Sequence, residues 1–171
     1  MISVQLEGVE QVEKQLLRVQ QRVGDMRPLM ADIGEHLVNS THDNFESSTA
    51  PDGSKWEANS PVTFARMLGK SDTGKSGRIN KRGVNKVANK RPLIMSHTLM
   101  QSIHYQETST NVTVGTNMVY GAMMHYGGSK AKFPHLWGDI PARPYLGIGR
   151  DDGSVIKDMI GDYLLDALNN R

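Results

Sequence analysis

Between Gly69 and Pro92 the chain reads GKSDTGKSGRINKRGVNKVANKRP, and this stretch decides where a core can form. It carries eight Lys or Arg and one acid, Asp72. Its apolar side chains are too few to offset the entropy of ordering it alone, so residues 69–92 are expected to form a long basic internal loop, a mobile insert in the isolated chain. The core of the 171-residue chain must then come from the flanking sequence. The formal charge of +2 conceals the division, because the flanks hold twelve of the twenty bases and seventeen of the eighteen acids. A basic insert is set in an acidic body.

The flanks carry periodic signals. Residues 2–6 alternate apolar and polar, which predicts a short strand with Ile2, Val4 and Leu6 on one face. Val9, Val12, Leu16, Val19 and Val23 recur at steps of three or four, predicting an amphipathic helix ended by Gly24. A second helix is expected from about Pro28 to Phe45, with Leu29, Ile33, Leu37 and Phe45 on its stripe. Helices joined this closely either fold back on each other or form a longer kinked unit against a neighbouring chain. Pro51-Asp52-Gly53 is a turn signal, and Ser60-Pro61 opens a short helix to Leu68. Ser96 is positioned to cap a helical turn through Met100. Ile103 and Tyr105, a turn at 108–111, and Val112, Val114 and Thr116 together predict a β-hairpin. Residues 119–126 read as a short helix stopped by Gly127-Gly128. Asp151 or Asp152 opens a last helix with Val155, Ile156, Met159, Ile160, Leu164 and Leu168 on its stripe. The expected fold class is α+β: two N-terminal helices, a small antiparallel sheet and a C-terminal helix, in a single domain over 1–171.

Composition narrows the chemistry. There is no cysteine, so disulfides, thiol catalysis and thiolate metal sites are excluded. No signal peptide is visible at the N-terminus, and no apolar run is long enough to span a bilayer. The six histidines form no HExxH pattern. His125, His135 and Asp139 match no compact metal-ligand spacing, and loop or interface roles explain both histidines. No GxSxG elbow is present. GKSDTGKS, residues 69–76, does satisfy the bare Walker pattern. A Walker loop needs an apolar strand before it and a helix after it, whereas PVTFARML precedes it as a capped helical signal and GRINKRGVNK follows it. The expectation is therefore no enzyme, no metal and no cofactor. The same insert could neutralise phosphates through Arg78, Lys81, Arg82 and Lys86; it could equally be a solvated loop or fold against an acidic neighbouring subunit. It lacks aromatics for stacking on single strands.

Large aromatic and Arg side chains are the best candidates for assembly contacts: Trp56, Tyr120, Tyr126, Trp137, Arg143 and Tyr145. Each has a plainer alternative. Trp56 in a polar loop, and Tyr120 and Tyr145, could pin loops to the core. Pro141 and Pro144 restrict the backbone on either side of Arg143, so the loop around it is shaped.

The ordered combination of these motifs resembles the phage virion morphogenesis family, which includes tail completion proteins of contractile-tailed phages and Mu-like prophages. The resemblance runs from helices ending at Asn44-Phe45 through Pro51-Asp52-Gly53, Trp56 and Ser60-Pro61-Val62-Thr63. It continues through Leu93 to Ile103, an apolar turn followed by LxxSI, and VTVGTNMVYGAMMHYGG, and ends in IPARPYLG before the last helix. Two positions depart from the family pattern. Ser96-His97-Thr98 stands where Thr-Gly is common, at a turn that prefers glycine, and Gly121 stands where alanine commonly follows the tyrosine. The resemblance implies a structural virion protein of the tail or head–tail junction, assembled in the host cytoplasm. It would contact tail tube, tail terminator or neck proteins and form a homo-oligomeric ring, of six copies if it follows a six-fold tail. It carries over no catalytic residue and no cofactor. The alternative is a DNA-contacting packaging or scaffolding factor that uses residues 69–92.

Overall fold

The structure, a computed structural model, describes residues 9–74, 77–136 and 138–169. The strand expected at 2–6 and Trp137 lie outside them. In chain order the elements are α1 (Val9–Gly24), α2 (Arg27–Ser47), α3 (Pro61–Met67), a 3-10 turn at Lys70–Asp72, α4 (Lys81–Ala88), α5 (Thr98–Gln101), β1 (Ile103–Glu107), β2 (Val112–Thr116), α6 (Gly121–Tyr126) and α7 (Asp152–Asn169). β1 and β2 pair as a two-stranded antiparallel sheet. This is the expected α+β arrangement of N-terminal helices, a small sheet and a C-terminal helix.

By its contacts the chain divides into two compact units. Among the described residues, one contains 9–39, 104–114 and 150–169; the other contains 40–74, 77–103, 115–136 and 138–149. In the first unit, the turn of the hairpin closes through Thr108 N–H to the Asn111 carbonyl at 2.8 Å. The N–H of Met26 donates to the Ser109 carbonyl at 3.1 Å, tying the start of α2 to that turn. Leu29, Ile33 and Ala167 are buried there. α1 lies along α7, with Arg22 paired to Asp166 at 3.1 Å and stacked 4.6 Å above the Tyr163 ring. Tyr163 also donates its hydroxyl to the Asp25 carbonyl at 3.1 Å. The close partner of α1 is therefore the last helix, not the next one. A short connection allows a fold-back without requiring it, and residues 138 to 144 positions away supply the bonds instead.

The second unit has an aromatic core. Phe45, Trp56, Tyr145, Leu99 and Ile103 are buried. Phe45 meets Trp56 edge-on at 5.5 Å and Tyr145 at 5.2 Å. Burying rings of this size contributes about 2–3 kcal/mol each. α3 begins as its sequence predicts: the Ser60 hydroxyl accepts from Thr63 N–H at 3.3 Å, and Pro61 takes the first helical position. α5 differs in one detail. Its N-cap residue is His97, in the left-handed conformation (φ +59°), while the Ser96 hydroxyl bonds that of Thr98 at 2.6 Å. The glycine-preferring turn therefore exists, with a histidine in it.

Within the basic segment the structure adds a helix, α4, that the sequence reading did not draw. Asn80 caps it by accepting from Gly83 N–H at 3.0 Å. Its anchor is Asp72, which is 2% exposed. The Asp72 carboxylate accepts from Gly69 N–H at 2.9 Å and from Lys86 Nζ at 3.0 Å, and Arg82 Nε stands 3.7 Å away. These donors hold its pKa below the ordinary carboxylate value, the Gly69 bond most of all.

Candidate assembly surface

The site is built on the loop from Ile140 to Gly147, which side chains of the second unit hold by hydrogen bonds. Gly127 starts the arrangement. Its φ of +72° suits glycine, and a Cβ there would come within 2.7 Å of the Ala142 nitrogen. That close approach lets Gly128 and Ile140 pair as an isolated bridge, with N–H to carbonyl bonds of 2.9 and 2.8 Å. Arg143 then turns inward. It is 6% exposed and donates Nε to the Glu57 carbonyl at 2.9 Å and Nη2 to the Ala58 carbonyl at 3.0 Å. Burial lowers its pKa, partly opposed by the Glu57 charge. Trp56 Nε1 donates to the Pro144 carbonyl at 2.7 Å, and Asn44 donates to the Tyr145 carbonyl at 3.3 Å. The 57–58 and 143–145 segments are thus clamped by side chains reaching both ways.

His125 locks the other side of the loop. Its ring lies 5.1 Å from that of Tyr145, and its Nδ1 accepts from Tyr145 N–H at 3.3 Å. Burial lowers its pKa, and a neutral ring with its proton on Nε2 is the form that can accept this bond. Tyr145 is 1% exposed, and burial raises its phenol pKa. Gly121 leaves room for it: a Cβ there would lie 2.9 Å from the Tyr145 hydroxyl and 2.7 Å from Thr116 Cγ2.

On these supports an open groove of about 370 Å³ is lined by Leu93, Met95, Leu99, Tyr120, Met124, Ile140 and Pro141, with Arg143 and Lys90 as its cations. Lys90 bonds the Ile94 carbonyl, and burial lowers its pKa. Met95 is 90% exposed, Val119 99% and Tyr120 43%.

The sequence-nominated residues separate accordingly. Trp56, Arg143 and Tyr145 are buried and act inside the chain as loop anchors. Tyr120 lines the groove, and Tyr126 is exposed beside His125, with their rings 4.5 Å apart. Sequence reasoning missed Leu93, Met95 and Met124, since single apolar residues near turns carry no periodicity. Arg78, Lys81 and Arg82 are exposed, whereas Lys86 is engaged with Asp72 and the Met67 carbonyl.

His125 and Asp139 are used separately, Asp139 accepting from Lys130 N–H at 2.7 Å. Among the described residues no group of three His, Asp or Glu is placed to hold a metal ion. No helix among them is long and apolar enough to cross a membrane. The Walker-like run follows α3 rather than a strand, and its Gly69 N–H is taken by its own Asp72.

The sequence is similar to Mu-like prophage FluMu G protein 2 of Haemophilus influenzae, 24% identical over 163 residues that cover 95% of this chain and 96% of that protein. No solved structure matches. The sequence profile of the phage virion morphogenesis family matches residues 7–165, nearly the whole described fold. The chain belongs to the phage virion morphogenesis family, a structural family of phage assembly.

Proposed function

We propose that this protein completes the phage tail or forms part of the head–tail neck, acting through protein–protein contacts as a ring of its own copies. One observation carries the reading: the groove beside Ile140-Pro141 is apolar and open, while the residues that shape it are buried and fully engaged. Large apolar side chains on a rigid support are what a partner can desolvate at low entropic cost. Membership of a virion morphogenesis family makes a tail or neck protein the natural partner, and copies arranged head to tail close a ring.

Tails lacking this protein, incubated with the purified chain, test the reading. Wild type should sediment with the tails. Met95→Glu and Tyr120→Ala should bind at least about tenfold more weakly, as expected when a contact centre worth about 1.4 kcal/mol is lost. Thermal melts matching wild type would show that the fold survives. Undiminished binding by both variants would place the contact elsewhere, and no binding by wild type would remove the reading.

A second reading rests on the exposure of Arg78, Lys81 and Arg82, which could meet DNA phosphates in a packaging or scaffolding role. Duplex binding that falls with salt, and falls again on neutralising Arg78 and Lys81, would support it; absent or salt-independent binding would dismiss it.

A further inference from the structure

The first unit contains a second groove, separate in composition from the one above. It lies between α2 and α7 and has a volume of about 710 Å³. Leu29, Met159 and Tyr163 supply apolar lining, and Asp32, Glu35 and Asp162 supply exposed carboxylates. Among the described residues those three acids make no ion pair, whereas Asp166 at the same groove is neutralised by Arg22. An apolar floor with an unneutralised acidic rim calls for an occupant that is apolar and basic together.

The chain itself carries such a face. Lys81 and Val84 stand three positions apart on α4 and therefore share one side of it. Val84 is 54% exposed, and Ile79, just before the helix, is 48% exposed. Arg78 is exposed beside Ile79. The inward-facing duty of the helix belongs to Lys86 and, more distantly, Arg82, both directed at Asp72. Lys81 is thus presented outward with Val84 beside it, while Arg78 is exposed and Ile79, whose Cγ2 lies over Gly83, is half-exposed just before the helix. DNA would satisfy the two bases but not Ile79 and Val84, and it would meet a body in which acids outnumber bases.

We propose that the α4 face carrying Lys81 and Val84, together with the exposed Arg78 and Ile79 that lead into the helix, seats in the α2–α7 groove of a second copy of this chain. Donor face and groove are different surfaces, so the contact is heterologous and each copy can give and receive once. Repetition closes a ring or extends a filament. The inference deepens the ring reading above by naming the surfaces that meet. Its charges would steer encounter and fix register, and the apolar pairs would supply desolvated contact.

The absence of native cysteine gives a clean test. A chain carrying Lys81→Cys and Asp162→Cys is treated with a short bis-maleimide at low salt. The expected product is a covalent ladder in multiples of the chain mass, and a mixture of the two single variants should give dimers but no ladder. In the double-cysteine background, Arg78→Glu or Asp32→Lys should each lower ladder yield about tenfold, the scale of a partly screened contact turned repulsive. Mixing the two charge variants should restore much of the yield, since each then offers one matched surface to the other. Only within-chain linkage, or a ladder indifferent to both charge reversals, would overturn the proposal. A chain that yields no ladder but still binds tails would lose this inference alone and keep the assembly reading.

Discussion

At the scale of single residues, the two departures from the family pattern become physical statements. His97 occupies a left-handed conformation that costs an L-residue about 1–2 kcal/mol, and its side chain is exposed. His97→Gly should therefore raise stability by about 0.5–1 kcal/mol, after allowance for glycine's greater freedom in the unfolded chain. A urea titration checks it; a loss instead of a gain would mean that the imidazole makes a stabilising contact. Gly121 answers to opposite physics. Alanine favours helices, but its methyl would press on Tyr145 and Thr116, and Tyr145 has no room to move. Gly121→Ala should cost about 1–3 kcal/mol, and adding Tyr145→Phe, which removes the crowded hydroxyl, should recover part of it. Additive losses in that double-mutant cycle would contradict the packing account. The sequence showed that both positions were unusual, but not why, because the strain at one and the crowding at the other depend on segments distant in the chain.

His125 also belongs to this scale. Its pKa is depressed in the folded chain below the ordinary 6.5, by burial. The unfolded chain then takes up its proton first as pH falls, so this contribution is complete above about pH 6.5 and is lost progressively below it, through the folded pKa. Stability should decline between pH 7 and pH 5. In His125→Asn, whose side-chain oxygen can accept in place of Nδ1 without titrating, the decline should be smaller. An identical pH slope in both proteins would assign the effect elsewhere. The sequence placed His125 on a short helix as a surface or interface residue. Its acceptor role required the 145–146 backbone to fold back onto it.

At the scale of elements, the periodic helices and the hairpin were legible, with α1, α2, β1 and β2 falling where stripe and alternation put them. α4 was not legible. Its order comes from an Asn80 cap and from Asp72, a single acid among eight bases, rather than from an apolar stripe. In the sequence that lone acid enters only the charge balance, because the burial and the three donors that make it an anchor come from the folded segment. Asp72→Asn removes the charge that Lys86 meets and weakens the acceptor for Gly69. Amide hydrogen exchange across 81–88 should accelerate in the variant, with the helices of the first unit unchanged. Because the Asp72 pKa is lowered, its contribution is present above the ordinary 3.8 and is lost as pH falls through the folded value. Unchanged exchange in the variant would mean that α4 stands without its anchor. The pairing of α1 with α7 was hidden for another reason: amphipathic stripes reveal that a helix needs a partner but not which partner, and sequence neighbours are only the default.

At the scale of the whole molecule, the candidate assembly residues show what composition can and cannot say. Tryptophan, tyrosine and arginine have the size and polar ends that suit an assembly contact, and the same properties suit them to internal anchoring. Trp56, Arg143 and Tyr145 took that use, each reaching a backbone carbonyl or a ring in its own unit. What remains for a partner is the surface they hold in place, the groove at Tyr120 and Met95, together with the exposed Tyr126. The apolar groove, the basic α4 face and the acidic groove are the surfaces on which the proposed joining role rests, in a chain of a virion morphogenesis family. The most direct measurement is electron microscopy of lysates from a phage in which this gene is disrupted. The account predicts filled heads and separate tails that fail to join, with joining restored by adding the purified protein to the lysate. Intact, infectious virions assembled without the gene would contradict it.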